Sequence, residues 1–106
     1  MSQTATDTVE EVLRATELTP QERYRLLTSK QRRVALDVLS QISGSIALDE
    51  LADEVARQLR DEPDEESTER VAVLLHHTHL PRMDDMDVVD YDPADHRIEP
   101  QIFRSR

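Results

Sequence analysis

Val88-Val89-Asp90-Tyr91-Asp92, then Pro93-Ala94-Asp95, then His96-Arg97-Ile98-Glu99 is the stretch on which the fold turns. Short β-prone runs flank a proline-led turn, the pattern of two strands joined as a hairpin. A two-stranded ribbon alone is marginal in water and must lean on an apolar body. That body has to come from the residues upstream.

Residues 29–43 predict a strong helix, with Val34, Ala35, Val38, Leu39 and Ile42 on one apolar stripe. Gly44, the only glycine, follows where a left-handed C-cap is wanted. Ser45-Ile46-Ala47 is a short extended piece. A second helix is expected over residues 49–60, with Asp49 as N-cap and Leu51, Ala52, Val55, Ala56 and Leu59 on its buried face. Residues 61–66 hold five acids and Pro63 and read as a solvated loop. A third helix starts at Ser67 with Val71, Leu74, Leu75 and Thr78 inward, and Pro81 should kink or interrupt it. Met83 and Met86 anchor the turn into the hairpin. Ahead of all this, Thr19-Pro20-Gln21-Glu22 is a capping-box helix start, with Tyr24 and Leu27 facing inward. Residues 9–16 predict a short helix carrying Val9, Val12 and Leu13.

The order is helix, helix, short strand, helix, helix, hairpin. The expected fold class is therefore mainly α with a small β-hairpin, a winged helix-turn-helix. The expected layout is a disordered tail over 1–8, an N-terminal helical extension over 9–28, the winged-helix domain over 29–100 and a basic tail over 101–106.

Two stretches carry a family likeness. Leu27-Thr28-Ser29-Lys30-Gln31-Arg32-Arg33-Val34-Ala35-Leu36-Asp37-Val38-Leu39 resembles the opening helix of many archaeal winged-helix regulators, in which an arginine pair precedes an aliphatic stripe. His79-Leu80-Pro81-Arg82-Met83-Asp84-Asp85-Met86-Asp87-Val88-Val89-Asp90-Tyr91-Asp92 resembles the end of the recognition helix and the first wing strand of the arsenic-repressor-like (ArsR-type) class. Over roughly residues 27–100 the chain is similar to a haloarchaeal winged-helix domain family of unassigned function, with a His-Leu-Pro signature before the wing. Asp87 stands where the ArsR-type class usually has glycine, in a left-handed turn that Asp can occupy at some cost. The acidic 61–66 stretch replaces that class's tight turn, and none of its metal sets can be carried over.

Composition narrows the function. Thirteen basic against twenty-three acidic residues give a net charge of −10, and Lys30 is the only lysine. An acid-rich, lysine-poor surface suits a halophilic cell, where carboxylates keep a protein hydrated in concentrated salt; unscreened repulsion should then swell or unfold it at low salt. In molar salt the Debye length falls to about 3 Å, so a negative chain can still approach a phosphate backbone. There is no cysteine, no membrane-length apolar run and no export pattern over residues 1–10, so a cytoplasmic protein is expected. A single glycine makes no phosphate loop, there is no nucleophile elbow, and an enzyme is not expected. No cofactor is implied.

Between Pro20 and Leu36, Arg23, Arg25, Lys30, Arg32 and Arg33 face Glu22 alone. Such a positive island is either a footprint for phosphate or a set of arginines pairing inside the fold. On the third helix the outward residues are Glu66, Glu69, Arg70, Val73, His76 and His77, of which Arg70 and His77 would reach base edges. The candidate DNA-binding residues are thus Lys30, Arg32, Arg33, Arg70 and His77, with Arg97 on the wing. A DNA-binding transcriptional regulator, with a homodimer as its expected state, stands against a protein-interaction or dimerisation module using the acidic third-helix face. His76 and His79, with Asp84 or His96, invite a zinc reading, but the spacing matches no zinc motif and no metal site is expected.

Overall fold

The computed structural model describes residue 13, residues 18–60 and residues 67–101. The fold is mainly helical with a small three-stranded antiparallel sheet. The expected tail over 1–8, the acidic loop 61–66 and the tail beyond Gln101 lie outside the described residues. So does the expected helix over 9–16, apart from Leu13, which is helical and fully buried.

Helix α1 spans Pro20–Thr28 and begins as its sequence demands: the Thr19 hydroxyl accepts from Glu22 N–H at 3.1 Å and the Glu22 carboxylate accepts from Thr19 N–H at 2.9 Å. Its inward residue is Leu26, while Tyr24, expected inside, is 69 % exposed. The correction is one of helix phase, because the polar first turn leaves two rows nearly equal in hydrophobicity and the core takes the Leu26 row.

Helix α2 spans Lys30–Leu39, capped by Ser29, and buries Arg32, Ala35, Leu36, Val38 and Leu39. It stops short of the expected residue 43, and Gly44 sits in the following connection rather than at a C-cap. The glycine is nevertheless left-handed, with φ +86°. Strand β1, Ile46–Ala47, feeds directly into α3, Leu48–Gln58. Ala47 rather than Asp49 is the N-cap; Glu50 reaches back to accept from Ala47 N–H at 3.4 Å. Leu51, Ala52 and Val55 are buried as the stripe predicts.

The third helix is continuous over residues 68–85 but changes its winding. Helix α4, Thr68–Leu74, passes into a π turn, Leu75–His79, and resumes as α5, Leu80–Asp85. Leu80 N–H donates to Leu75 C=O, a five-residue step. The wide turn comes just before Pro81, whose missing N–H and ring disfavour a regular α continuation. One extra residue moves the inward position from Thr78 to His79. Thr78 is exposed, and Val71, Leu75, His79, Leu80 and Met83 line the core.

Asp87 takes φ 62°, and the chain enters β2, Val89–Asp92, and β3, Arg97–Pro100. At the turn the Asp92 carboxylate accepts from Ala94 N–H and Asp95 N–H at 3.1 and 3.3 Å. The ribbon expected to be two-stranded has a third member. β1 pairs with β3, Ile46 opposite Ile98 and Ala47 opposite Arg97, so the sheet order is β1-β3-β2. Val89, Tyr91, Ile98 and Ile46 turn to the aliphatic core, and Leu48 N–H donates to His96 C=O at 2.8 Å, fixing α3 to the end of the hairpin.

Candidate nucleic-acid interface

The six candidate DNA-binding residues separate into two groups. Arg70, His77 and Arg97 are exposed. Arg70 and His77 lie seven residues apart on the third helix, with Val73 between them in sequence and 55 % exposed. Ser67 caps this helix, its hydroxyl accepting from Arg70 N–H at 3.1 Å. Arg97 lies on β3 and donates from Nε and Nη2 to Ser45 Oγ at 3.3 and 2.8 Å, which holds the guanidinium over the sheet edge.

A histidine cluster joins the helix row to the hairpin. The His76 Nδ1 atom and the Tyr91 hydroxyl are 2.6 Å apart. The His76 ring meets His77 edge-on at 4.7 Å and His96 at 5.3 Å between centroids. Burial first, and the Asp92 carboxylate second, push the Tyr91 phenol above its ordinary value and keep it a neutral partner. His96 itself adopts φ 55° at the hairpin turn. The His76–Tyr91 link is a contact that helix periodicity does not reveal; its one trace in sequence is the strand alternation that turns Tyr91 inward.

Lys30, Arg32 and Arg33 sit at the start of α2 and only Lys30 is exposed. Arg32 is 8 % exposed and donates to Arg25 C=O at 2.6 Å, Leu26 C=O at 3.3 Å, Thr28 Oγ1 at 3.3 Å and His79 Nδ1 at 3.1 Å. Arg33 Nη1 donates to Leu27 C=O at 2.7 Å. These carbonyls belong to the last turn of α1, whose backbone has no further N–H to meet them, although the Thr28 hydroxyl also donates to Arg25 C=O at 3.0 Å. The arginine pair is a cationic cap on the negative end of that helix. Arg23 is turned the same way, donating to Leu18 C=O at 3.1 Å. Three cations of the positive island thus serve the fold.

His79 completes the Arg32 cluster. A guanidinium only donates, so His79 Nδ1 is the acceptor and its proton sits on Nε2, 3.2 Å from Gln31 Oε1. Burial, then Arg32 and Arg82, lower its pKa to about 4, so it is neutral at pH 7. Of the residues weighed for zinc, His79 is engaged with Arg32 and Gln31, His76 with Tyr91, Asp84 with Tyr91 N–H at 2.8 Å, and His96 meets the His76 ring edge-on. Among the described residues no three His, Cys, Asp or Glu side chains are grouped as a metal site. Nor, among them, is any helix long and apolar enough to cross a membrane.

Residues 24–99 match a protein family described as "Domain of unknown function (DUF7344)". No curated protein and no solved structure matches the chain.

Proposed function

The chain belongs to this domain family, and from that premise we propose that it is a winged-helix DNA-binding regulator whose third helix enters the major groove and whose β2–β3 hairpin is the wing. One observation carries the reading: the histidine cluster ties the third helix to the hairpin, His76 meeting both His77 and His96, with Arg70, His77, His96 and Arg97 all exposed. The strand order β1-β3-β2, with a short strand between the second and third stretches of helix, supports the same fold. Arg70 occupies the leading turn of the helix, where major-groove readers make their base contacts, and Lys30 and Arg97 supply phosphate contacts. Arg32 and Arg33 act indirectly, by holding α1 and α2 together. The acid-rich surface suits a halophilic cytoplasm.

The test is selection from a random-sequence duplex library in near-molar potassium chloride, followed by anisotropy titration of the enriched duplex. Arg70→Ala should weaken binding of that duplex about tenfold or more and relax its sequence preference. Arg97→Ala should weaken all duplexes alike and lower the salt slope by about one. Absence of enrichment, or an Arg70→Ala protein that binds as well as the parent, rejects the assignment.

A second reading has its own observation. Val73 on the outer helix row and Tyr24 on α1, 69 % exposed, are large apolar side chains left in solvent, as a protein-interaction or homodimer surface would present them. Light scattering that finds a dimer dispersed by Val73→Asp, in a protein that selects no duplex, favours this reading.

A further inference from the structure

Charge is divided along α2. Residues 20–36, which lead into it, hold five cations against Glu22 alone; residues 37–60, which lead out of it, hold five acids against Arg57 and Arg60. Each end also carries an apolar feature. Beside the start, on α1, Tyr24 is 69 % exposed and its neighbour Arg25 is exposed with it. Beside the end lies an open groove of about 480 Å3, with Val38, Ile42 and Ile46 as its floor and Glu50, Asp53 and Glu54 as its wall. Arg57 bridges Asp53 at 3.0 Å and Glu54 at 2.7 Å, which leaves the wall with two negative charges in excess.

We infer that a second copy of this chain occupies the groove, Tyr24 on the floor and Arg25 against the wall, in a two-fold dimer that crosses at α2. Three features point to that occupant. The charge pattern is self-complementary. A two-fold rotation about the middle of α2 exchanges its ends, so each basic half meets an acidic one and both contacts close at once. The outer row of α2 repeats the pattern on a smaller scale. Lys30, Val34 and Asp37 share one helix face and none of them is buried, so the same axis sets Val34 against its own copy and Lys30 opposite Asp37. Tyr24 is the third feature: an amphipathic ring with few rotatable bonds loses little entropy on docking and covers a large apolar area. In concentrated salt the charge pairs are screened and burial of the ring is not, so Tyr24 carries most of the attraction there.

The inference rests on the homodimer form of the second reading, assigns its contact to Tyr24 rather than Val73, and is independent of DNA binding. Analytical ultracentrifugation of the full chain tests it, at the lowest salt in which circular dichroism shows a folded protein and again in concentrated potassium chloride. A monomer–dimer equilibrium is expected, with Tyr24→Ala weakening it about tenfold or more at both salts. At the lower salt Arg25→Glu and Glu54→Arg should each weaken the dimer, and the two combined should recover most of the loss. Circular dichroism of each variant checks that it is folded. Val73→Asp should leave the dimer intact. A parent chain still monomeric at about 1 mM overturns this inference and the homodimer reading together. A dimer indifferent to Tyr24→Ala, or dispersed by Val73→Asp, overturns this inference alone. So do assemblies that grow past the dimer with concentration, the mark of a contact that does not close.

Discussion

Replacing Arg32 by alanine is expected to destabilise the protein by about 3 kcal/mol, the scale of breaking a buried hydrogen-bond network. The reason is the number of groups left behind. Leu26 C=O loses its side-chain donor, Arg25 C=O keeps only the Thr28 hydroxyl, Thr28 Oγ1 loses a partner, and His79 Nδ1 is stranded in the interior. Unmet buried acceptors each cost about 1–3 kcal/mol before relaxation and water entry recover part of it. Because the partners of Arg32 are all uncharged, no carboxylate is freed to compensate. Arg32→Lys should recover only part of the loss, since one ammonium cannot span acceptors on two helices as a planar fork does. Thermal and urea unfolding by circular dichroism in concentrated salt would measure both variants, with a fall in Tm on the order of 15 °C for alanine. A loss under about 1 kcal/mol, the scale of an exposed ion pair, would mean that the cap is ornamental.

The second large effect is acid lability centred on His79. Its folded pKa of about 4 lies below the ordinary 6.5 of the free imidazole. Between those values the unfolded chain takes up a proton that the folded chain refuses, so stability falls as the pH is lowered through that window. The contribution is whole above pH 6.5 and spent by about pH 4, a loss of about 3 kcal/mol at most for a shift of this size. The structural cause is that imidazolium has no lone pair for Arg32 and would set two cations side by side. His79→Gln supplies the comparison, because an amide does not titrate. The stability difference between parent and variant should shrink from pH 7 to pH 4; curves that run parallel would show that His79 does not couple folding to protons.

Local chemistry made much of the fold legible. The Thr19–Glu22 capping box, the α3 stripe of Leu51, Ala52 and Val55, the left-handed Asp87 and the hairpin are each specified by residues within a few positions of one another. What stayed hidden depends on partners far along the chain. β1 is only two residues long, and its pairing with β3 comes from a register more than fifty residues distant. Arg32 lies on the inward row of α2, but an arginine is so seldom buried that periodicity assigns it to solvent. The π turn is announced only by Pro81, which signals an interruption without saying whether the helix breaks, bends or widens. The candidate site divides along the same line. Helix periodicity puts Arg70 and His77 outside, the hairpin reading puts Arg97 on the wing, and all three are exposed. Arg32 and Arg33 carry the same charge in the same pattern as phosphate ligands, and only the geometry of α1's last carbonyls tells the two uses apart.

The widened turn at Leu75–His79 acts as a phase slip in the third helix. Upstream of it, Arg70 and Val73 face outward while Val71 is buried. Downstream, His79, Leu80 and Met83 are fixed by the interior. A strictly regular helix would lock these two requirements into a single rotational setting. The surplus residue uncouples them, so the segment before it and the segment after it each meet the interior at their own rotational setting.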